Sequence, residues 1–185
     1  MTHITPVPEN GATREEADAL AAIGAAWGAV PQLGRVIARS PALTRGLLAF
    51  EQELARGRFT RAFAEQLDIA VANENRCPYC LAAHTAAAKA LGLNDRELSD
   101  ARLGHAADPK IDAGLTFAQT IVRKRGHVAN DDFLALRDAG WKDGEIVELV
   151  GHIVAGILTN YLHHLSGVPV EFPHVEFAVP RDEAA

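Results

Sequence analysis

The sequence predicts an all-α protein, a multi-helix bundle of about eight helices with an extended C-terminal arm, on three observations. Apolar residues recur at three- and four-residue spacing along most of the chain. Prolines and capping residues stand where those stretches begin, and glycines where they end. Alternation of the β type is confined to VEFPHVEFAV near the C-terminus.

The elements follow in order. Residues 1–12 are polar, hold Pro6 and Pro8, and read as a poorly ordered arm. Thr13 with Glu16 three residues later forms the signature of a capping box, so a helix is expected over 13–27. Between Pro31 and Pro41 there is room for a short helix of about three turns. Leu43, Leu47, Leu48, Phe50 and Leu54 then keep helical spacing up to Gly57. Thr60 opens the next helix, in which Phe63, Leu67 and Ala70 form one stripe and Ile69 and Ala72 another, so it should be buried on two sides. Pro78, tolerated in a first turn where its missing N–H costs nothing, starts a helix running to Gly92. Further helices fit 95–105, 111–126, 130–139 and 143–166, with Asn94, Asn130 and Asp143 near starts and Gly104, Gly126 and Gly140 near breaks. The organisation expected is an arm over 1–12, one helical domain over 13–168 and a C-terminal arm over 169–185.

Eighteen basic against 24 acidic residues give a net charge of −6, so no basic field exists to hold a phosphate backbone and nucleic acid is not an expected partner. The N-terminus lacks the basic-then-apolar build of a secretory leader, and two cysteines three residues apart are no secreted disulfide scaffold; a cytoplasmic protein is expected. The uncharged run after Glu148 is interrupted by His152, Asn160, His163 and His164. It reads as a helix buried between helices rather than a membrane span, with Asn160 and one of His163 or His164 hydrogen-bonded there and His152 near the active site. Phe172, Val175 and Phe177 are too many apolar residues for a short arm to fold back, which predicts a homo-oligomer.

The chemistry gathers around one helix start. With Pro78 as first helical residue, Cys77 is the N-cap, and Cys80 and His84 follow at i+3 and i+7 on one face. The i, i+3 step brings two Cα atoms to about 5 Å, within reach of a disulfide. A helix N-terminus favours thiolate over thiol. Its cap position makes Cys77 the more accessible sulfur for an external reductant. His84 can approach Cys80 and carry protons near neutral pH. Glu65, in the preceding helix with Ala62, Ile69 and Ala72 as face neighbours, is a desolvated carboxylate able to hand protons to His84; equally, Arg61 four residues earlier can pair with it on the surface. A lone Cys-x-x-Cys is open to redox, metal or structural readings. Zinc meets a geometric obstacle, since Cys77 and His84 are separated by about 10.5 Å of helix rise. His152, His163 and His164 are either extra ligands or hydrogen-bonded core residues, and Tyr79 and Asn75 either orient the site or merely start the helix.

Glu65, then Cys77-Pro-Tyr-Cys80, then His84, set in the wording ENRCPYCLAAH, closely resembles the pattern of alkylhydroperoxidase D in the carboxymuconolactone decarboxylase superfamily, peroxidase-related branch. The resemblance is strongest over about 43–128. It implies a helical bundle assembling as a trimer, hexamer or dimer. It also implies a peroxidase that reduces organic hydroperoxides or hydrogen peroxide in antioxidant defence, without cofactor or metal. By resemblance, Cys80 is the peroxidatic cysteine, Cys77 closes the disulfide, and His84 with Glu65 relays the proton from the thiol. Tyr79 stands where alkylhydroperoxidase D has histidine, so the dithiol reductant is left as a lipoyl- or thioredoxin-type protein. Two other functions stay in view: a thiol–disulfide or sensing module with little peroxide turnover, and a decarboxylase acting on a lactone acid, which needs no dithiol.

Overall fold

The computed structural model describes residues 2–179. Among them are nine helices, against the eight or so expected: α1 (Arg14–Trp27), α2 (Gln32–Ile37), α3 (Pro41–Ala55), α4 (Arg61–Glu74), α5 (Pro78–Ala90), α6 (Asp95–Arg102), α7 (Pro109–Lys124), α8 (Asn130–Asp138) and α9 (Asp143–Ser166). The capping chemistry fixes most boundaries. Thr13 and Glu16 exchange both capping-box hydrogen bonds at the head of α1, and Thr60 Oγ1 accepts from Phe63 N at the head of α4. Two boundaries move for the same reason. α2 has six residues rather than three turns, because Ser40 leaves the helix to cap α3 by accepting from Leu43 N. α7 starts at Pro109, two residues early, because Asp108 accepts from Lys110 N and Ile111 N.

α4 is the centre. Ile69, Ala70, Val71 and Ala72 are all fully buried, so this helix is covered on every side rather than two, by α5, α6, α7 and α9. Small residues permit that closeness. A Cβ on Gly156 of α9 would lie 3.1 Å from Asp68 Oδ1 and 3.2 Å from Val71 Cγ1, so any larger residue would need those side chains to give way for α9 to rest as closely on α4.

α9, 24 residues and about 36 Å long, is apolar and long enough to cross a membrane by length and composition. It packs within the bundle along Ile146, Leu149, Ile153, Gly156, Asn160 and His163, a regular 3–4 spacing. Only that face is buried. Val147, Val154, Tyr161 and Leu165 on the other side are at least half exposed.

Both arms correct the sequence reading. Residues 2–12 form no helix, yet Val7 is buried in the core, its N–H donating to Arg35 O and its carbonyl accepting from the Arg35 guanidinium, while Arg39 donates to the carbonyls of Thr5 and Pro6. The arm is therefore tied down. Phe172, Val175 and Phe177 do fold back: all three pack against the core of their own chain. No strand forms among the described residues of the C-terminal arm, because its pairing partner is a side chain: Asn73 Nδ2 donates to Ala178 O and Asn73 Oδ1 accepts from Ala178 N. Residues 180–185 of the arm lie outside the described residues.

Candidate active site

The site begins at the corner between α4 and α5. α4 closes with the N–H of Cys77 on Ala72 O and that of Arg76 on Asn73 O, the paired bonds of a Schellman motif. The motif demands a left-handed residue, and here it is Arg76 at φ 55 rather than glycine, at a cost of about 1 kcal/mol. Its guanidinium lies 5.4 Å over the Phe177 ring, so the residue that turns the corner also holds the C-terminal arm. The turn delivers Cys77 to the N-cap of α5, where its sulfur accepts the N–H of Cys80 at 3.3 Å. Both cysteines are free thiols.

Cys80, His84 and Glu65 face one cavity of about 530 Å³, walled largely by apolar and aromatic side chains, among them Trp27, Leu33, Phe59, Tyr79 and Phe172. Cys77 does not line it and is fully buried. The expected accessibility is therefore reversed: the cap position faces the protein interior, and Cys80, one turn on, faces the cavity.

Glu65 turns toward His84, not Arg61: His84 Nδ1 lies 2.9 Å from Glu65 Oε2. A second carboxylate, Asp68, stands 3.6 Å from the same nitrogen. Burial alone would lower the imidazole pKa, but the charge of Asp68 and the hydrogen bond and charge of Glu65 outweigh it and raise it to about 10. His84 is thus an imidazolium at neutral pH: a held positive charge and a proton donor. Burial pushes Asp68 up to about 6 and raises Glu51, which accepts the Trp27 indole N–H at 2.9 Å.

The two sulfurs share a hydrogen bond that moves them apart. The bond from Cys80 lowers Cys77 below the usual thiol range; donating it, together with burial, raises Cys80, while the His84 charge and the Asn160 side chain pull Cys80 back. Asn160 is oriented for this because its Oδ1 accepts from Asn75 Nδ2 at 2.9 Å.

Behind Cys77 lies a second histidine. His163, 7% exposed, places Nδ1 3.7 Å from Cys77 Sγ, and its Nε2 donates to Val168 O at 3.1 Å. Its ring stacks on Tyr79, with centroids 5.0 Å apart, and the Tyr79 hydroxyl donates to Glu171 of the arm. His164 Nε2 donates to Arg76 O. His152 reaches the cavity against Phe59, its Nε2 buried without a hydrogen-bond partner among the described residues. Two groups hold donor atoms within 4.8 Å of one another: Cys77, His163 and His164, and Glu65, Asp68 and His84. In the first, both histidines already give Nε2–H to carbonyls, and the second is the ion-paired cluster just described.

The four residues singled out in the sequence thus meet at one corner. Asp68, Glu51, the role of Asn160 and the contact of His163 with Cys77 were missed. Asp68 had a signal, since it lies three residues after Glu65 on one helix face. His163 had one too, in the 3–4 spacing that runs along α9 from Ile146.

Residues 41–119 match the carboxymuconolactone decarboxylase family. No curated protein matches the chain by sequence. Among solved structures, an uncharacterized peroxidase-related protein from Ralstonia eutropha, described as an alkylhydroperoxidase AhpD core, is 24% identical over 91% of this chain and 92% of its own, with a TM-score of 0.74. A peroxidase-related protein from Silicibacter sp. is 19% identical over 92% of each chain, TM-score 0.73. The debrominase Bmp8, solved with 2,3,4-tribromopyrrole, is 14% identical over 92% of each chain, TM-score 0.77. At these identities the likenesses speak for the fold.

Proposed function

From the match of residues 41–119 to the carboxymuconolactone decarboxylase family and the alkylhydroperoxidase D-like fold, we propose that the chain is a thiol peroxidase in which Cys80 attacks an organic hydroperoxide or hydrogen peroxide. The observation that carries this reading is that Cys80 is the sulfur on the cavity, beside an imidazolium held by Glu65 and Asp68. Cys77, held below the usual thiol range, is the thiolate that takes the Cys80 proton; the charge thus moved to Cys80 is opposed by burial and supported by the His84 charge and the Asn160 amide. The thiolate attacks the terminal peroxide oxygen, the O–O bond breaks, and the departing alkoxide takes a proton from His84. Cys80 is left as a sulfenic acid, two electrons oxidised, and the alcohol is released. Cys77 then displaces water to close the disulfide, and an external dithiol resets the pair. The relay is amended in one respect: His84 serves as acid and charge, because its proton is held by two carboxylates. A lipoyl-type arm suits the buried sulfurs better than a protein thiol on a flat surface, since a reductant reaches Cys80 through the cavity.

The test is single-turnover peroxide consumption with mass spectrometry of a dimedone adduct. Cys77→Ser should consume about one equivalent and be trapped at position 80. Cys80→Ser should not react. A sulfenic acid on Cys77 and none on Cys80 reverses the assignment, and reaction at neither leaves a thiol–disulfide module. The Bmp8 likeness makes a bromopyrrole the second substrate to assay.

A further inference from the structure

The peroxidase reading leaves a proton to be accounted for. Once Cys80 has handed its proton to Cys77 and reacted, Cys77 is a thiol, and a thiol is a poor nucleophile until it loses that proton. His84 serves the cavity side and is already protonated. Cys77 is fully buried, so bulk water is not beside it.

Building on that reading, we propose that His163 is the general base for Cys77: its Nδ1 takes the Cys77 proton as the disulfide closes. The hydrogen bonding of the ring fixes the assignment. A carbonyl oxygen can only accept, so the bond to Val168 O puts hydrogen on Nε2 and leaves the Nδ1 lone pair facing Cys77 Sγ at 3.7 Å. Stacking on Tyr79 and burial of Val168 hold the ring there. Burial also keeps His163 below the ordinary histidine range, hence neutral and able to accept at pH 7. The other titratable groups around it leave the role to His163. Tyr79 is pushed up by burial and its hydroxyl is spent on Glu171; His164, its ring centroid 6.2 Å away, gives Nε2–H to Arg76 O.

The step balances. The Cys77 S–H bond breaks and its proton moves to His163 Nδ1; the sulfur forms the S–S bond to Cys80; the S–O bond of the sulfenic acid breaks, and the hydroxide leaves as water with a proton from His84, which has regained one from cavity water after giving its first to the alkoxide. The peroxide has already supplied the oxidising equivalents. The two thiols therefore have separate histidines of opposite charge state, an acid for the leaving oxygen at Cys80 and a base for the attacking sulfur at Cys77.

The test dispenses with peroxide, so its failure is distinct from failure of the peroxidase reading. The reduced protein is mixed with the aromatic disulfide dithiobis(nitrobenzoate), which releases one coloured thiolate on labelling Cys80 and a second when Cys77 displaces the label; Cys77→Ser stops after the first. His163→Gln keeps a donor toward Val168 O and has no basic nitrogen. It should slow the second release by roughly 10²-fold while changing the first by less than about twofold. In the native chain the second release should also fall as pH drops through the depressed histidine pKa, and His163→Gln should lose that acid limb. A second release in His163→Gln as fast as in the native chain, or slowed with the acid limb intact, overturns the proposal. The native protein carries an independent check should that variant not fold: nitrogen-15 histidine spectra should show His163 neutral with hydrogen on Nε2 at pH 7, and hydrogen on Nδ1 overturns it.

Discussion

His84 carries a large electrostatic commitment within the site. Its pKa of about 10 lies above the ordinary 6.5, so the folded chain binds its proton more tightly than the unfolded one. The stability this supplies is complete below about pH 6.5 and is lost as pH rises through 10. Asp68 works the other way: raised to about 6 from 3.8, its ionisation costs the fold something between those values and the full penalty above them. Asp68→Asn should therefore lower the His84 pKa and move the alkaline limb of the first, peroxide-consuming step down by on the order of one pH unit. Burst amplitude against pH checks this, and a limb that stays in place would remove Asp68 from the cluster. The sequence offered Glu65 to His84 and, by spacing alone, equally to Arg61; in the structure the carboxylate meets His84. That decision belongs to the packing of α5 on α4, a contact between residues 19 positions apart.

At the scale of elements, helix starts were the most legible feature. A capping side chain is a local interaction, decided within four residues, so Thr13, Thr60, Asn94 and Pro78 announce helices that form where expected. The arms were least legible. A single Val7 in a Pro-rich stretch has no periodicity, and its burial depends on Arg35 and Arg39 reaching back from a later helix. The fit of α9 on α4 is similarly tertiary. Gly156→Ala should force the two helices apart or push Asp68 from its place, since the added methyl meets atoms at 3.1 and 3.2 Å. We expect a loss of about 1–3 kcal/mol in denaturant unfolding together with a displaced His84 titration. Unchanged stability would mean that this contact yields without cost.

For the whole molecule, the most exposed of the large apolar residues include a row along α9. Val147, Val154, Tyr161 and Leu165 follow the helical repeat on its outer face, a strip that a second copy of the chain could cover by twofold symmetry. The expectation of a homo-oligomer thus stands as a proposal on different residues from those that first suggested it. Val147→Glu with Val154→Glu should convert the sedimenting species to monomer at micromolar concentration. Removal of residues 171–185 should leave the assembly intact, because Phe172, Val175 and Phe177 are occupied within their own chain. A native chain that sediments as monomer would end the proposal. Setting both sulfurs within one turn of a single helix start bears, finally, on survival in excess oxidant. A sulfenic acid at Cys80 has two fates, capture by the neighbouring thiol or a second peroxide that carries it irreversibly to the sulfinic acid. Where capture first requires a helix to unwind, the second fate gains ground with every increment of peroxide. Here the trap stands one helical turn away, so on the peroxidase reading proposed above capture needs no helix to unwind and gains on the second peroxide.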